Sequence, residues 1–152
     1  MTHVKVKIVD DRLKEFGLPD YATPGSAAID LRALTPAGIP VTVFPGDCRT
    51  FETGLSIAIP NPNLVLLIHP RSGLGFKYGI VLKNGTGVID SDYRGEIMIA
   101  LQNNGVSPFI VNNGDRVCQA ILMPVFRIRW DEVSELPTSD RGQGGFGHTG
   151  QA

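Results

Sequence analysis

The chain has 152 residues, 42% of them hydrophobic, which suffices for one core and is too short for two comfortable domains. Fourteen basic against fifteen acidic side chains leave a formal charge of −1, which argues against stable capture of nucleic acid while permitting a locally basic pocket for a small phosphate ligand. The first sixteen residues carry charges throughout and no apolar run approaches the length of a membrane span, so no signal peptide or membrane segment is expected and the cytoplasm is the default compartment.

Along the chain, apolar residues alternate with polar ones at Val4, Val6 and Ile8, at Val41 and Val43, and at Leu55, Ile57 and Ile59. This period of two predicts half-buried strands. Later runs, 64–68, 97–101, 117–123 and 125–130, are more continuously apolar and read as further strands, cut by Pro60, Pro62, Pro70, Pro108 and Pro124. Turn sequences such as PGD at 45–47 and NNGD at 112–115 stand at the joints. One or two helical turns are predicted near Ser72 to Tyr78. Short strands with frequent turns predict an all-β antiparallel barrel or double-sheet jelly roll, because closure removes the unpaired edges they would otherwise expose. The barrel domain is expected to cover residues 1–138. The acidic DEVSEL at 131–136 leads into a glycine-rich tail, 139–152, that is too costly in backbone entropy to form a core element. Cys48 and Cys118 lack CxxC spacing and read as ordinary thiols, and the three histidines show no ligand spacing.

Several segments carry chemical potential. In PRSGLGFKYG at 70–79, Arg71 offers a fork of charged donors and Ser72 a hydroxyl at the end of an apolar strand, a combination suited to phosphate oxygens, without the spacing of a P-loop. The stretch NGTGVIDSDYRGE at 84–96 reads as a glycine-bearing hairpin whose backbone and Asn84 amide suit a pyrimidine edge, with Tyr93 available to a sugar. Asp90 is a candidate carboxylate for deprotonating water; Asp92 competes with it, and both equally suit capping roles in a solvated turn. Asp30 suits either a water of hydrated Mg²⁺ or an internal salt bridge, and Gln119 either a phosphate contact or an ordinary strand start. In the tail, Arg141 and Phe146 suit a planar anionic ligand, against a reading of the segment as a flexible end.

Taken together, GSAAIDLRA at 25–33, PRSGLGFKYGI at 70–80, NGTGVIDSDYRGEI at 84–97, GDRVCQ at 114–119 and RGQGGFGHTG at 141–150 closely resemble the five ordered motifs of the homotrimeric dUTPases, especially bacterial ones. The resemblance implies a jelly-roll-like β-barrel trimer with three sites shared between subunits. It further implies Mg²⁺-dependent hydrolysis of dUTP to dUMP and diphosphate, which lowers dUTP and supplies dUMP for thymidylate synthesis. It makes Asp90 the base for water attack on the α-phosphorus. It assigns uracil to Asn84 and the backbone of Gly87, Val88 and Ile89, deoxyribose to Tyr93, and a bordering position to Met98. Phosphates fall to Arg71, Ser72, Gly73 and Gln119, the γ-phosphate to Arg141, and a lid over the base to Phe146, Gly147 and His148. Asp30 then acts on the metal through water. The first motif departs from the common GSAGxDL in carrying Ala28, which removes no functional group. Two alternatives are a dCTP deaminase-like enzyme, which needs a glutamate-based proton shuttle where this hairpin carries Asp90 and Tyr93, and a non-catalytic nucleotide-binding module, which would lack Asp90, Arg71 or Arg141.

Overall fold

The computed structural model describes residues 2–145. Eleven strands follow one another, all paired antiparallel: β1 (Lys5–Ile8), β2 (Ile29–Arg32), β3 (Val41–Val43), β4 (Cys48–Glu52), β5 (Leu55–Ala58), β6 (Leu64–Pro70), β7 (Ile80–Leu82), β8 (Gly87–Ile89), β9 (Met98–Asn103), β10 (Phe109–Val111) and β11 (Arg116–Pro124). They form a four-stranded sheet in the order β2-β11-β6-β8, a three-stranded sheet β4-β9-β7, and the pairs β1-β5 and β10-β3. This is the all-β jelly-roll-like architecture that the short, punctuated strands predict.

Alternation places one face of each long strand inward. From the larger sheet Leu31, Leu66, Ile68 and Ala120 meet Phe51, Ile99, Leu101 and Leu82 from the smaller one, all of them buried. Each of these leucine, isoleucine and phenylalanine side chains contributes about 1.5–3 kcal/mol on burial. Among the polar groups at the same depth, the Asn103 amide donates to Val43 O (2.9 Å) and Ser107 O (2.8 Å) and accepts from Gly105 N–H (2.8 Å). Its three partners are backbone groups of strand β3 and of the loop between β9 and β10, so this side chain replaces water for all of them.

The single α-helix among the described residues, α1 (Ser72–Tyr78), follows β6 directly and ends at Gly79, whose φ of +70° reverses the chain. A Cβ at Gly79 would lie 2.5 Å from Gly105 N, so glycine is required there by conformation and by space. The C-terminal end of α1 is held by Tyr78, whose ring packs 5.3 Å from that of Phe109.

One predicted strand is absent. The run 125–130 is tied to the barrel by a hydrogen bond from Val125 N–H to Asn63 O (2.8 Å), and beyond it the chain leaves the sheets. Phe126 and Trp130 are 97% and 86% exposed, and Ile128 is exposed between them. The alternation of apolar residues is present, but no described strand pairs with it. Strands β2, β4, β7 and β10, by contrast, join the sheets without having been foreseen.

Candidate active site

The end of β6 and the start of α1 gather side chains from four elements. Pro70 closes β6, Arg71 is the residue preceding α1, and Ser72 and Gly73 begin the helix. Opposite them, β11 pairs Gln119 with Asp30 of β2 on one side and with His69 of β6 on the other. Asp30, Arg71, Ser72, Gly73 and Gln119 therefore line a single cleft of about 320 Å³, together with Leu74, Lys77 and Tyr78.

Asp30 binds two arginines. Its Oδ1 is 3.0 Å from Arg71 Nε and its Oδ2 3.1 Å from an Arg116 terminal nitrogen, while Arg71 also donates to the Arg116 backbone carbonyl at 2.8 Å. Of the two readings open for Asp30, the internal salt bridge is the one these contacts describe. Arg116 was not singled out from the sequence, for a geometric reason. Register shifts between Arg116 and Cys118 along β2, and a bulge of this kind brings a residue onto a face that strict alternation would deny it. Cys118, next to Gln119 in β11, is fully buried; burial, reinforced by the Asp30 charge and opposed by Arg71, pushes its thiol up to about 12. At neutral pH it stays protonated and is no nucleophile. The Gln119 amide donates to Pro70 O at 3.0 Å, fixing the strand end from which Arg71 projects.

The hairpin residues open elsewhere. Asn84 sits in the exposed turn between β7 and β8, its carbonyl accepting from Thr86 N–H (2.8 Å). In β8, Gly87, Val88 and Ile89 pair with Ile68, Leu67 and Leu66. Asp90 follows, exposed, and its carboxylate makes no hydrogen bond or ion pair among the described residues; the same holds for Asp92, so neither aspartate caps a backbone amide. Val88, Asp90, Ser91 and Asp92 line a second cleft of about 580 Å³ with Arg127. Tyr93 donates its hydroxyl to Glu96 O at 2.9 Å. A Cβ at Gly95 would meet that hydroxyl at 2.3 Å, so the glycine lets the ring lie across the turn. Met98, at the start of β9, borders a third cleft beside Arg12 and Glu52. Arg141 bonds locally to the Gly144 and Gly145 carbonyls at 2.8 and 3.3 Å. Phe146, Gly147 and His148 lie outside the described residues.

One chain thus presents a basic cleft and, in a separate place, an unengaged carboxylate beside a glycine-bearing hairpin. Against known proteins, the family model described as dUTPase matches residues 14–150. The chain belongs to the dUTPase family. Its deoxyuridine 5'-triphosphate nucleotidohydrolase relatives from Actinobacillus pleuropneumoniae serotype 5b and Histophilus somni strain 2336 are 49% and 50% identical, each over 99% of both chains. Among solved structures, a dUTPase mutant of Staphylococcus bacteriophage 80alpha with dUpNHpp superposes with a TM-score of 0.84 at 21% identity, over 99% of both chains. A mutant dUTPase of phage phi11 of S. aureus, described with a structural Mg(II) ion, gives 0.77 at 20% identity, over 90% of this chain and 99% of that one. At such identities these two speak for the fold, which is the dUTPase jelly roll.

Proposed function

We propose that the chain hydrolyses dUTP to dUMP and diphosphate, as a homotrimer whose sites are each assembled from more than one subunit. The observation that carries the reading is the convergence of Asp30, Arg71, Ser72, Gly73 and Gln119 on one cleft in a chain that matches the dUTPase family over residues 14–150.

In the chemical step the Asp90 carboxylate takes a proton from water as the water oxygen bonds to the α-phosphorus. The bond from that phosphorus to the bridging oxygen breaks, and diphosphate leaves with the electron pair. Asp90 contributes by holding its carboxylate aimed at the attacking water. Arg71 and the Ser72 hydroxyl hold phosphate oxygens, with Gly73 allowing close approach and Gln119 steadying the strand end. Asn84 and the backbone of Gly87, Val88 and Ile89 receive uracil, Tyr93 lies against the sugar, and Met98 borders the nucleotide. Arg141 reaches the γ-phosphate, and Phe146, Gly147 and His148 complete a lid formed by the tail, residues 139–152, over the barrel of residues 1–138.

Mg²⁺ fits this donor set as an ion carried by the triphosphate. No group of three or more His, Cys, Asp or Glu side chains able to hold a metal occurs among the described residues. Asp30, with each carboxylate oxygen already facing a guanidinium, retains lone pairs that suit a metal-bound water. An ion held there through Asp30 and the phosphates would supply charge neutralisation for the triphosphate and diphosphate oxygens.

The trimer accounts for two features of the single chain. The basic cleft and Asp90 open apart, and the exposed Phe126, Ile128 and Trp130 form an apolar stripe with no partner among the described residues; a second copy both completes the site and covers such a stripe. Light scattering should report three times 16.4 kDa, whereas a fully active monomer would overturn the shared site. No described helix is long and apolar enough to cross a membrane, and the proposed compartment is the cytoplasm.

Diphosphate release assayed across dUTP, dTTP, dCTP and UTP, with and without Mg²⁺, tests the whole reading. A hairpin that reads the base with fixed backbone groups leaves polar atoms unpaired against cytosine and crowds a methyl at C5, so dUTP is expected to exceed dCTP and dTTP by at least about 10³-fold in kcat/KM. Comparable turnover of dCTP, or ammonia released from it, sinks the pocket assignment.

A further inference from the structure

The basic cleft extends past the residues that the mechanism uses. From Ser72 and Gly73 it runs along one face of α1 to Leu74, Lys77 and Tyr78, positions related by three and four residues and so neighbours on the helix surface. Lys77 is exposed and makes no hydrogen bond or ion pair among the described residues, in contrast to the other charges of the cleft. Asp30 spends its two oxygens on Arg71 and Arg116. Arg71 in turn uses Nε on Asp30 and one terminal nitrogen on the Arg116 carbonyl, leaving the other terminal nitrogen without a partner among the described residues and available to an incoming oxygen. Within this cleft, apart from the tail's Arg141 assigned to the γ-phosphate, a single partly engaged guanidinium and one hydroxyl are a thin donor set for a polyphosphate.

We propose that Lys77 is a substrate-binding residue, its ammonium contacting the phosphates beyond the α position; this rests on the nucleotidohydrolase reading of the same cleft. At 1.5 Å per residue the Lys77 Cα lies about 7.5 Å beyond that of Ser72 along the helix axis. A long helical side chain leans back toward the N-terminus of its helix, so the ammonium is carried toward Ser72 and arrives one or two phosphates along from the group held there. The backbone at Lys77 is a fixed platform, because Tyr78 next to it packs on Phe109 and Gly79 closes the helix with its N–H on Gly75 O. The charge is right as well. Asp30 offsets one of its two arginines, and Lys77 adds a positive charge that no carboxylate among the described residues cancels. The competing role for a lysine in the last turn is to favour the helix dipole, which predicts a small change in stability and no preference among nucleotides.

The test is titration of full-length Lys77→Gln and Lys77→Arg with α,β-imido-dUTP plus Mg²⁺ and, separately, with dUMP. For Lys77→Gln the Kd of the triphosphate analogue should rise about 10-fold, the scale of one charge-assisted contact at an open site, while dUMP binding stays within about twofold. Lys77→Arg should recover most of the loss, because it restores the charge near the same place. Melting temperatures of both variants should remain within about 3 °C of the parent, as an exposed helix-end charge contributes little to stability. An unchanged Kd for the analogue, an equal weakening of dUMP, or an arginine variant no better than glutamine overturns the proposal. Turnover of dUTP by the parent is read separately. Failure there sinks the hydrolase reading, whereas the binding arms continue to report on Lys77.

Discussion

Asp90→Asn should leave the barrel folded and nucleotide bound while turnover of dUTP falls by about 10²–10⁴-fold. The structural cost is small because Asp90 is exposed just beyond β8 and its side chain makes no hydrogen bond or ion pair among the described residues; its backbone carbonyl, which accepts from Tyr93 N–H at 3.2 Å, is untouched by the substitution. The catalytic cost is large because an amide of the same shape cannot take the proton from water. Steady-state kinetics paired with an α,β-imido-dUTP titration separates the two effects. Asp92, which lines the same cleft, is the control: Asp92→Asn should keep turnover within about threefold of the parent, since a group off the line of attack contributes through charge alone. Near-normal turnover of Asp90→Asn, with Asp92→Asn inactive, would exchange the two assignments.

The extent to which these features could be read from the sequence depended on whether the signal was local. The bounds of α1 were legible because Pro70 precedes it and Gly79 supplies the left-handed residue that ends it. The strands with regular alternation or dense apolar runs, such as β5 and β6, were legible for the same reason. Strand β4 was not, since Cys48, Arg49 and Thr50 give no apolar period and only Phe51 is buried; its register along β9 defines it. The run 125–130 fails in the opposite direction. Its apolar residues announce burial but do not say against which chain, and within one subunit Phe126 and Trp130 remain exposed. In the site, the donor chemistry of Arg71 and Ser72 was visible as residue types at a strand end. The commitment of Asp30 to two arginines was not, because it depends on a bulge in β11 that brings Arg116 onto the face of Gln119. The five motifs were legible as an ordered set, while their convergence needed the pairing of β2 and β6 on either side of β11.

Removal of residues 139–152 should leave a folded trimer and reduce turnover by at least about 10²-fold, the scale of a lost charge-stabilising donor combined with a site left open to water. Folding should survive because the described part of the segment gives the barrel nothing. Ser139, Arg141, Gly142 and Gly144 bond only to one another and to Gly145, and the sheets end at Pro124. The bonds of Arg141 are with two exposed local carbonyls, so its guanidinium changes partners at little cost when a γ-phosphate is offered. Truncation deletes that donor together with Phe146, whose stacking on uracil is expected to contribute about 1–3 kcal/mol. Phe146→Ala isolates the second part and should reduce kcat/KM about 10-fold, at the lower end of that range. Circular dichroism and light scattering on the truncated chain, beside a diphosphate-release assay, check each limb. Limited proteolysis adds an independent readout, since cleavage after Arg141 should be rapid in the free enzyme and slow with Mg²⁺ and α,β-imido-dUTP if the segment closes over the nucleotide. A truncated trimer that turns over dUTP at the full-length rate removes the lid from the mechanism and leaves phosphate binding to Arg71, Ser72 and the α1 face alone.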